Sequence, residues 1–219
     1  MSRIVIDGNI GSGKTTQLDL LEKKGWFVKR EPIDEWPLEK FYKDPKKWAF
    51  YLHMIILKTL RPIRTSKPVI YERCLLSSRW VFWPILMRTK GISKEEDEIY
   101  TKFYEDYGWH PDLYIFLTKS PEKAFEHVKK RGQAGDSGVT LAYLKELEVE
   151  YKNLIRSVPC RVIIINAERT PEEIHNEICR HLSENELFIS NSSGEKVQKT
   201  GGSGGKMQCT PFANMCRLS

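Results

Sequence analysis

The stretch that follows the first apolar run constrains the fold of this chain more than any other feature. RIVID is a short, β-branched run, GNIGSGKTT follows it, and TTQLDLLEKK has apolar residues at helical spacing. Glycines let successive backbone N–H groups turn inward, and a concave loop of this kind binds phosphate oxygens. The spacing Gly8-x-x-x-x-Gly13-Lys14-Thr15 between a strand and a helix therefore predicts a phosphate-binding loop.

The residue types in this loop indicate a nucleoside triphosphate with Mg²⁺. The helix that begins at the loop contributes partial positive charge at its N-terminus. Lys14 can reach the β- and γ-phosphates, and the hydroxyl of Thr15 can hold the metal ion. The predicted cofactor-binding residues are Gly8, Asn9, Ile10, Gly11, Ser12, Gly13, Lys14, Thr15 and Thr16.

Strand and helix signals alternate along the rest of the chain. The strand-like runs are RIVID, WFVKR, PVIYE, DLYIFLT and RVIII, the last of them of a buried type. Helices are expected to begin at Ser93, at Ser120 with Pro121, and at Thr170 with Pro171. The alternation predicts an α/β fold, a parallel five-stranded sheet with helices on both faces. Ligands of such a sheet bind beyond the carboxyl ends of its strands.

Composition argues against several other classes of protein. Five scattered cysteines give neither a disulfide framework nor a zinc pattern, which favours a reduced, intracellular protein. No signal-peptide pattern precedes the glycine-rich loop, and the longest apolar run, WAFYLHMIILKTL, is too short to span a membrane. The net charge of +6 is a weak indication of nucleic-acid binding. We therefore expect a cytoplasmic protein with neither a nucleic acid nor a membrane as partner.

The composition changes near the end of the chain and predicts a domain boundary. Residues 1–186 are expected to form one domain, and residues 187–219 a flexible tail rich in Ser, Gly and Lys. The tail contains GGSGGKM, which resembles a second phosphate loop. Thr200 replaces its first glycine, Met207 replaces its hydroxyl residue, and no strand precedes it, so we assign it no function.

Three further stretches predict where a phosphoryl acceptor would bind. KREPIDEW ends the second strand with Glu31, and YERCLLSSRWVF ends the third strand with Glu72 and Arg73. KKRGQAGDSG is a helix end that runs into a glycine-rich segment, and residues 131–138 suit a short lid. Phosphoryl transfer needs a carboxylate base, a cation that offsets developing charge, and closure against water. Glu31, Arg73 with Arg131, and the lid could supply these three functions, although each motif alone is more often a surface ion pair.

Taken together, these motifs resemble the cellular and viral deoxynucleoside kinases. The resemblance rests on GNIGSGKTT, EPIDEW, YKDPKKWAF, ERCLLSSR, DLYIFLTKSPEKAFEHV and VTLAYLKEL, which occur in the family's order from about Ile4 to Leu182. It implies a phosphate-loop kinase fold, a short lid, and the transfer of phosphate from ATP, with Mg²⁺, to the 5′-hydroxyl of a deoxynucleoside for DNA-precursor salvage. It also implies a homodimer in the cytoplasm, or in the host cytoplasm if the chain is viral.

The resemblance assigns roles to individual residues. It implies that Glu31 is the catalytic base and that Arg73 steadies that carboxylate and the 5′ oxygen. Glu72, with Thr15, would hold Mg²⁺, and Lys14 and Arg131 would act on the phosphates. The residues implied to bind the nucleoside are Glu31, Trp36, Tyr42, His53, Arg73, Phe82 and Asp136, with Tyr42 and Asp136 on the sugar 3′-hydroxyl.

The sequence departs from the family at several positions. The family usually has Gln where His53 stands, and a histidine cannot reproduce the adjacent donor and acceptor of an amide. Base recognition is therefore expected to be altered, water-assisted or partly pH-dependent. Gln133 and Gly135 replace an arginine and an acid of the lid, so closure is expected to be weaker. Leu60 and Ser78 replace an Arg–Asp pair, which resembles the members that accept thymidine and favours thymidine, with deoxycytidine also accepted.

Two alternatives to a deoxynucleoside kinase remain open from the sequence. DGNIGSGKTTQLDLLEKKG and KREP also resemble nucleoside monophosphate kinases of the thymidylate kinase type. A monophosphate acceptor asks for extra arginines rather than for a carboxylate base, which makes Glu31 unfavourable to that alternative. A GTP-driven switch is the second alternative, but the chain contains neither D-x-x-G nor N-K-x-D.

Overall fold

The computed structural model describes residues 2–133 and 136–192, and the side chains of Ser137 and of residues 185–192 are left out of the description. The chain divides into two compact units, Met1–His181 and Leu182–Ser219. The first unit contains the sheet and every residue that lines the candidate active site. In the second unit, the described residues are helical up to Ser192.

The sheet has five parallel strands, as the sequence predicts. They are β1 (Arg3–Gly8), β2 (Val28–Lys29), β3 (Val69–Glu72), β4 (Leu113–Thr118) and β5 (Arg161–Asn166). The strand order is β2-β3-β1-β4-β5, and β1 pairs with both β3 and β4. The carboxyl ends of β1 and β3 are therefore adjacent, which brings the chain after Gly8 and after Glu72 to one rim of the sheet.

Helices connect the strands. They are α1 (Lys14–Lys23), α2 (Leu38–Lys43), α3 (Pro45–Thr59), α4 (Leu75–Ser77), α5 (Trp83–Lys90), α6 (Lys94–Tyr107), α7 (Pro121–Arg131), α8 (Leu141–Ile155) and α9 (Pro171–Ser192). A π-helical turn, Ser78–Phe82, joins α4 to α5, and short 3₁₀ turns lie at Ile33–Glu35 and Asp136–Gly138. None of the helices in the described residues is both long and apolar enough to cross a lipid bilayer.

The helix starts behave largely as the sequence predicts. The Ser93 side chain accepts a hydrogen bond from the Glu96 backbone N–H, and the Glu96 carboxylate accepts one from the Ser93 N–H, which completes a capping box. Thr170 accepts from the N–H of Glu173 at the start of α9. Ser120 precedes α7, but its side chain makes no capping bond.

One expectation about the elements needs correction. RVIII was expected to be a buried strand, but β5 pairs only with β4 and lies at the sheet edge, where Ile164 is 56 % exposed and its neighbour Ile165 is fully buried. The predicted domain boundary at residue 186 lies within α9, which continues to Ser192, and the boundary stays a prediction. Residues 193–219 lie outside the described residues, so the tail stays a prediction from composition.

Candidate active site

The phosphate loop joins β1 to α1 with a backbone that glycine makes possible. Gly11 and Gly13 have φ angles of 80° and 97°, in the left-handed region that side chains disfavour. A Cβ at Gly11 would also lie 2.4 Å from the carbonyl oxygen of Ala124, so the loop packs directly against α7. The Asn9 amide donates to the Leu144 carbonyl, 2.8 Å away on α8. The loop is therefore fixed between two helices, with the N-terminus of α1 open towards a ligand.

Lys14 is directed into this loop. Its Nζ donates to the carbonyl oxygens of Gly8 and Asn9, at 3.1 and 2.9 Å. Burial lowers the pKa of Lys14 to about 8, and the nearby charge of Arg73 acts in the same direction. A buried ammonium beside inward-facing N–H groups gives the loop the charge that a triphosphate requires.

One cleft of about 740 Å³ brings most of the predicted site residues together. Three predicted loop residues do not border the cleft because they are buried: Gly8, Asn9 and Ser12. The cleft wall also contains residues that sequence reasoning missed, among them Arg30, Phe41, His127, Lys130 and Tyr143. The predicted residues in the wall are Ile10, Gly11, Gly13, Lys14, Thr15, Thr16, Glu31, Trp36, Tyr42, His53, Glu72, Arg73, Phe82, Arg131 and Asp136.

Glu31 and Arg73 form a buried ion pair in this cleft. Glu31 follows β2, Arg73 follows β3, and the two strands are neighbours in the sheet. Nη1 of Arg73 lies 2.5 Å from Oε2 of Glu31, and Nη2 donates to the Gly8 carbonyl at 3.3 Å. The predicted base is thus linked through the predicted arginine to the start of the phosphate loop.

A network behind Arg73 holds its guanidinium in place, and sequence reasoning missed it. Nε of Arg73 lies 3.2 Å from the Tyr151 hydroxyl and 3.3 Å from the Asp7 carboxylate. Asp7 is fully buried and also accepts hydrogen bonds from the hydroxyls of Tyr151 and Tyr114. Arg73 has φ 56°, a left-handed conformation that is rare outside glycine and that the network helps to maintain. The only sequence signal was the position of Asp7, directly before the glycine-rich loop.

The electrostatics of the site favour a proton acceptor at Glu31. Burial raises the pKa of Glu31 to about 7, and the charge of Glu72 adds to the rise. Arg73 and Lys14 act in the opposite direction and limit it. A carboxyl group whose pKa lies near neutrality is well matched to general-base catalysis at physiological pH.

The residues predicted to hold Mg²⁺ meet at the start of α1. The Thr15 hydroxyl donates to Oε1 of Glu72 at 3.3 Å, so two oxygen ligands converge beside Lys14. Among the described residues, no group of three or more His, Cys, Asp or Glu is arranged to hold a metal ion. Mg²⁺ needs only one or two protein oxygens when nucleotide phosphates and water supply the others, so Thr15 and Glu72 fit this ion.

The lid residues pair with each other. Nε and Nη2 of Arg131 donate to the two carboxylate oxygens of Asp136, at 3.1 and 2.6 Å. Burial raises the pKa of Tyr42, and the negative charge of Asp136 adds to the rise. These two predicted sugar-binding residues are therefore close enough to interact. Separate engagement of phosphate by Arg131 and of sugar by Asp136 requires the ion pair to open. Gly135 lies outside the described residues, so its predicted effect on closure stays a prediction.

The part of the cleft that contains Trp36 and Phe82 is largely apolar. The indole N–H of Trp36 donates to Thr59 at 2.9 Å, and the Phe82 ring lies 5.3 Å from the Arg73 guanidinium carbon. Leu52, Ile56, Leu60 and Leu86 complete the apolar wall. A flat aromatic base can pack against such a surface.

His53 is the main polar group on this apolar wall, together with Ser78. Nδ1 of His53 lies 3.2 Å from the Ser78 hydroxyl, and burial lowers the pKa of His53 to about 3. The imidazole is therefore neutral at physiological pH, which disfavours the pH-dependent recognition that the sequence left open.

Comparisons with known proteins agree with this geometry. A family model described as "Deoxynucleoside kinase" matches residues 4–188. Protein 143R of Invertebrate iridescent virus 6 is 30% identical over 185 residues, which cover 81% of this chain and 95% of the relative. The deoxyadenosine/deoxycytidine kinase of Bacillus subtilis (strain 168) is 26% identical over 208 residues, with 84% of this chain and 95% of the relative covered.

A solved structure supports the fold independently. The deoxyadenosine kinase from M. mycoides with bound dATP superposes with a TM-score of 0.74 at 24% sequence identity. The match covers 84% of this chain and all of the other chain. At this identity the likeness establishes the fold, a phosphate-loop kinase sheet with its surrounding helices.

Proposed function

Because this chain belongs to the deoxynucleoside kinase family of phosphotransferases, we propose that it transfers the γ-phosphoryl group of ATP to the 5′-hydroxyl of a deoxynucleoside, for DNA-precursor salvage. The observation that carries this proposal is the buried pair of Glu31 and Arg73, which shares a cleft with Lys14 and Thr15 of the phosphate loop. A carboxylate base and a triphosphate site in one cleft are the two parts that phosphorylation of an alcohol needs.

In the proposed mechanism, each residue acts on a named atom. Glu31 accepts the proton of the 5′-hydroxyl as the 5′ oxygen bonds to the γ-phosphorus and the bond from that phosphorus to ADP breaks. Arg73 donates to Glu31 and to the 5′ oxygen, and Asp7 and Tyr151 keep its guanidinium oriented. Lys14 stabilises the negative charge that develops on the phosphates.

The proposed cofactors are ATP and Mg²⁺. Thr15 and Glu72 would hold the ion, which would neutralise charge on the β- and γ-phosphates. Arg131 would close over the phosphates from the lid, and Tyr42 with Asp136 would position the sugar.

Thymidine is the proposed preferred substrate, and deoxycytidine is also accepted. Trp36 and Phe82 would hold the base, and Leu60 and Ser78 leave that part of the cleft without a charged pair. An apolar wall here suits a 5-methyl group better than a buried ion pair would. The deoxyadenosine and deoxycytidine kinases reported above carry other bases in their names, so the preference rests on the cleft alone.

We also propose a homodimer. Helix α6 exposes Ile99, Phe103 and Tyr107 at intervals of four residues, so the three form one apolar stripe. Sedimentation equilibrium should give twice the chain mass of 25.6 kDa. A sedimentation mass equal to that of one chain at micromolar concentration would contradict the dimer.

The proposed compartment is the cytoplasm. Among the described residues, Cys74 and Cys160 are free thiols. Free thiols are typical of proteins in a reducing compartment.

The experiment that tests the proposed function is an acceptor panel. Thymidine, deoxycytidine, deoxyadenosine, deoxyguanosine and thymidylate are each incubated with γ-labelled ATP and Mg²⁺, and labelled products are separated. We expect label on at least one deoxynucleoside, with the highest kcat/KM for thymidine. Transfer to thymidylate alone would revive the monophosphate kinase alternative, which the comparisons do not support. Transfer to none of the five acceptors would overturn the proposal.

A further inference from the structure

His53 is the first member of a chain of three buried polar groups. Its Nδ1 lies 3.2 Å from the Ser78 hydroxyl, which in turn lies 3.0 Å from the Tyr100 hydroxyl. His53 and Ser78 are 3 % exposed and border the cleft, whereas Tyr100 is fully buried and is not part of the cleft wall. Trp83 stacks on Tyr100 at 3.9 Å between ring centroids and packs against His53 at 5.3 Å. The rings are therefore held in fixed positions by their neighbours.

The three groups can share their protons in two ways in which Ser78 both donates and accepts; if both neighbours donate to Ser78, its own proton is left without an acceptor. In the first arrangement, Tyr100 donates to Ser78, Ser78 donates to Nδ1 of His53, and the ring proton is on Nε2. In the second, Nδ1–H of His53 donates to Ser78, and Ser78 donates to the Tyr100 oxygen. A neutral imidazole carries one proton, so Nε2 is a donor in the first arrangement and an acceptor in the second.

The surroundings of Tyr100 distinguish the two arrangements. Within residues 2–133 and 136–192, the Ser78 hydroxyl is the one hydrogen-bond partner of the Tyr100 hydroxyl. The second arrangement therefore leaves the phenolic proton buried without an acceptor. The first gives both hydroxyl protons an acceptor and places the Nε2 proton at the cleft, where a ligand or water can accept it. Because an unsatisfied buried donor is costly, the first arrangement is the stable one.

From this geometry we infer that Tyr100 and Ser78 hold His53 as the Nε2–H tautomer, so that His53 offers the base a single hydrogen-bond donor. Nδ1 is occupied by Ser78, and no partner of Nε2 lies among the described residues, so Nε2 is the ring nitrogen available to a ligand in the cleft. The base would be recognised by an acceptor alone, a carbonyl oxygen or an unprotonated ring nitrogen. The N–H groups of the base would make no hydrogen bond to His53.

The inference rests on the proposed function, because it assumes that a deoxynucleoside occupies the cleft. It differs from recognition by an amide, which offers a donor and an acceptor side by side and so contacts two neighbouring groups on one edge of a base. Ser78 and Tyr100 act through His53 and are positioning residues in this scheme.

The first test measures the tautomer directly. Protein labelled with ¹⁵N-histidine is examined by NMR, alone and with the deoxynucleoside that the panel finds best, and His53→Gln identifies the His53 signals. We expect the proton on Nε2 in both states. Tyr100→Phe should shift the population towards a mixture of tautomers, because Ser78 loses the donor that fixes its direction, and Tyr51→Phe, at an exposed position on α3, should not. A proton on Nδ1 in the unmodified protein would overturn the inference.

The second test uses two analogues of deoxycytidine. The deoxyriboside of pyrimidin-2-one keeps the O2 and N3 acceptors but lacks the amino group. The second analogue, 3-deaza-2′-deoxycytidine, keeps O2 and the amino group but lacks N3. We expect the first analogue to keep a kcat/KM within about threefold of deoxycytidine and the second to lose at least about tenfold. In the His53→Gln variant, both analogues should have a lower kcat/KM than deoxycytidine, because an amide contacts both the amino group and N3.

The outcomes separate the inference from the proposed function. If no deoxynucleoside is phosphorylated in the panel, the proposed function fails. If deoxycytidine is phosphorylated and the pyrimidin-2-one analogue loses at least about tenfold in kcat/KM, the proposed function stands and donor-only recognition by His53 is wrong. If deoxyadenosine is the better substrate, its analogues lacking the 6-amino group or N1 make the equivalent pair.

Discussion

At the scale of single residues, the Glu31 carboxyl combines three properties that surface glutamates lack. It lies 2.5 Å from Nη1 of Arg73, its side chain is 9% exposed, and burial raises its pKa to about 7. These properties arise from two chain segments that meet at the ends of β2 and β3. They predict that Glu31 is required for proton transfer and contributes little to nucleotide binding.

Replacement of the base should therefore separate chemistry from binding. Glu31→Gln should lower kcat by about 10²- to 10⁴-fold, the usual contribution of a general base, and should leave the Kd for ATP within about threefold. The kinetics and an ATP titration would be compared with Glu35→Gln, at an exposed position four residues away that does not border the cleft. A Glu31→Gln variant with normal kcat would show that another group takes the proton.

The pKa of Glu31 predicts the acid side of the pH profile. A base acts in its deprotonated form, so kcat/KM for the nucleoside should fall about tenfold per pH unit below a pKa near 7. His53 should not contribute to this limb, because its pKa is lowered to about 3. Initial rates across the range from about pH 5.5 to 8 would measure the limb. A constant kcat/KM over that range would contradict the assignment.

At the scale of elements, the start of α6 is specified by residues that are close together in the sequence. Ser93 and Glu96 form a reciprocal capping box, and the Trp83 indole donates to Asp97 in the first turn of the helix at 2.7 Å. Helix α6 also carries Tyr100, which belongs to the hydrogen-bonded chain that ends at His53. Because Ser93, Glu96 and Asp97 do not line the cleft, the start of this helix is expected to affect stability more than chemistry.

Loss of the cap should have a measurable cost. Ser93→Ala should lower the free energy of unfolding by about 1 kcal/mol, because one backbone N–H loses its partner. Urea unfolding would be compared with Ser66→Ala, an exposed serine outside any helix. An equal effect of the two substitutions would show that the capping box does not stabilise the fold.

At the scale of the whole molecule, the kinase cleft lies entirely within the unit Met1–His181. The family model extends to residue 188 and the last helix to Ser192. The remaining residues are rich in Ser, Gly and Lys, a composition that does not support a packed core. We therefore propose that residues 193–219 are dispensable for phosphoryl transfer.

A truncated chain tests this proposal. A protein that ends at Ser192 should keep kcat/KM for its deoxynucleoside within about twofold of the full chain, because few contacts are expected from a tail of this composition. Thermal unfolding of both proteins would show whether the truncated one is equally stable. A large loss of activity in a truncated protein that remains stably folded would assign the tail a part in catalysis.

The elements of the fold and the position of the glycine-rich loop could be predicted from local sequence patterns. The pattern around Gly8 and Lys14, the five strands and the capped start at Ser93 all depend on residues close together in the chain, where local sterics and periodicity act. The family also followed from motif order. For the same reason, the sequence misjudged β5, since a run of isoleucines does not reveal that a strand has a neighbour on one side only.

The way in which the active-site groups are held depends on segments that are distant in the chain. Glu31 meets Arg73 across 42 residues, Arg73 meets Tyr151 across 78, and Tyr151 meets Asp7 across 144. The neutral state of His53 likewise depends on burial beside Ser78 and Tyr100. The ionisation states of these groups and the directions of their hydrogen bonds are set by desolvation and by the nearest polar groups. Desolvation and these neighbours exist only after distant segments have packed together.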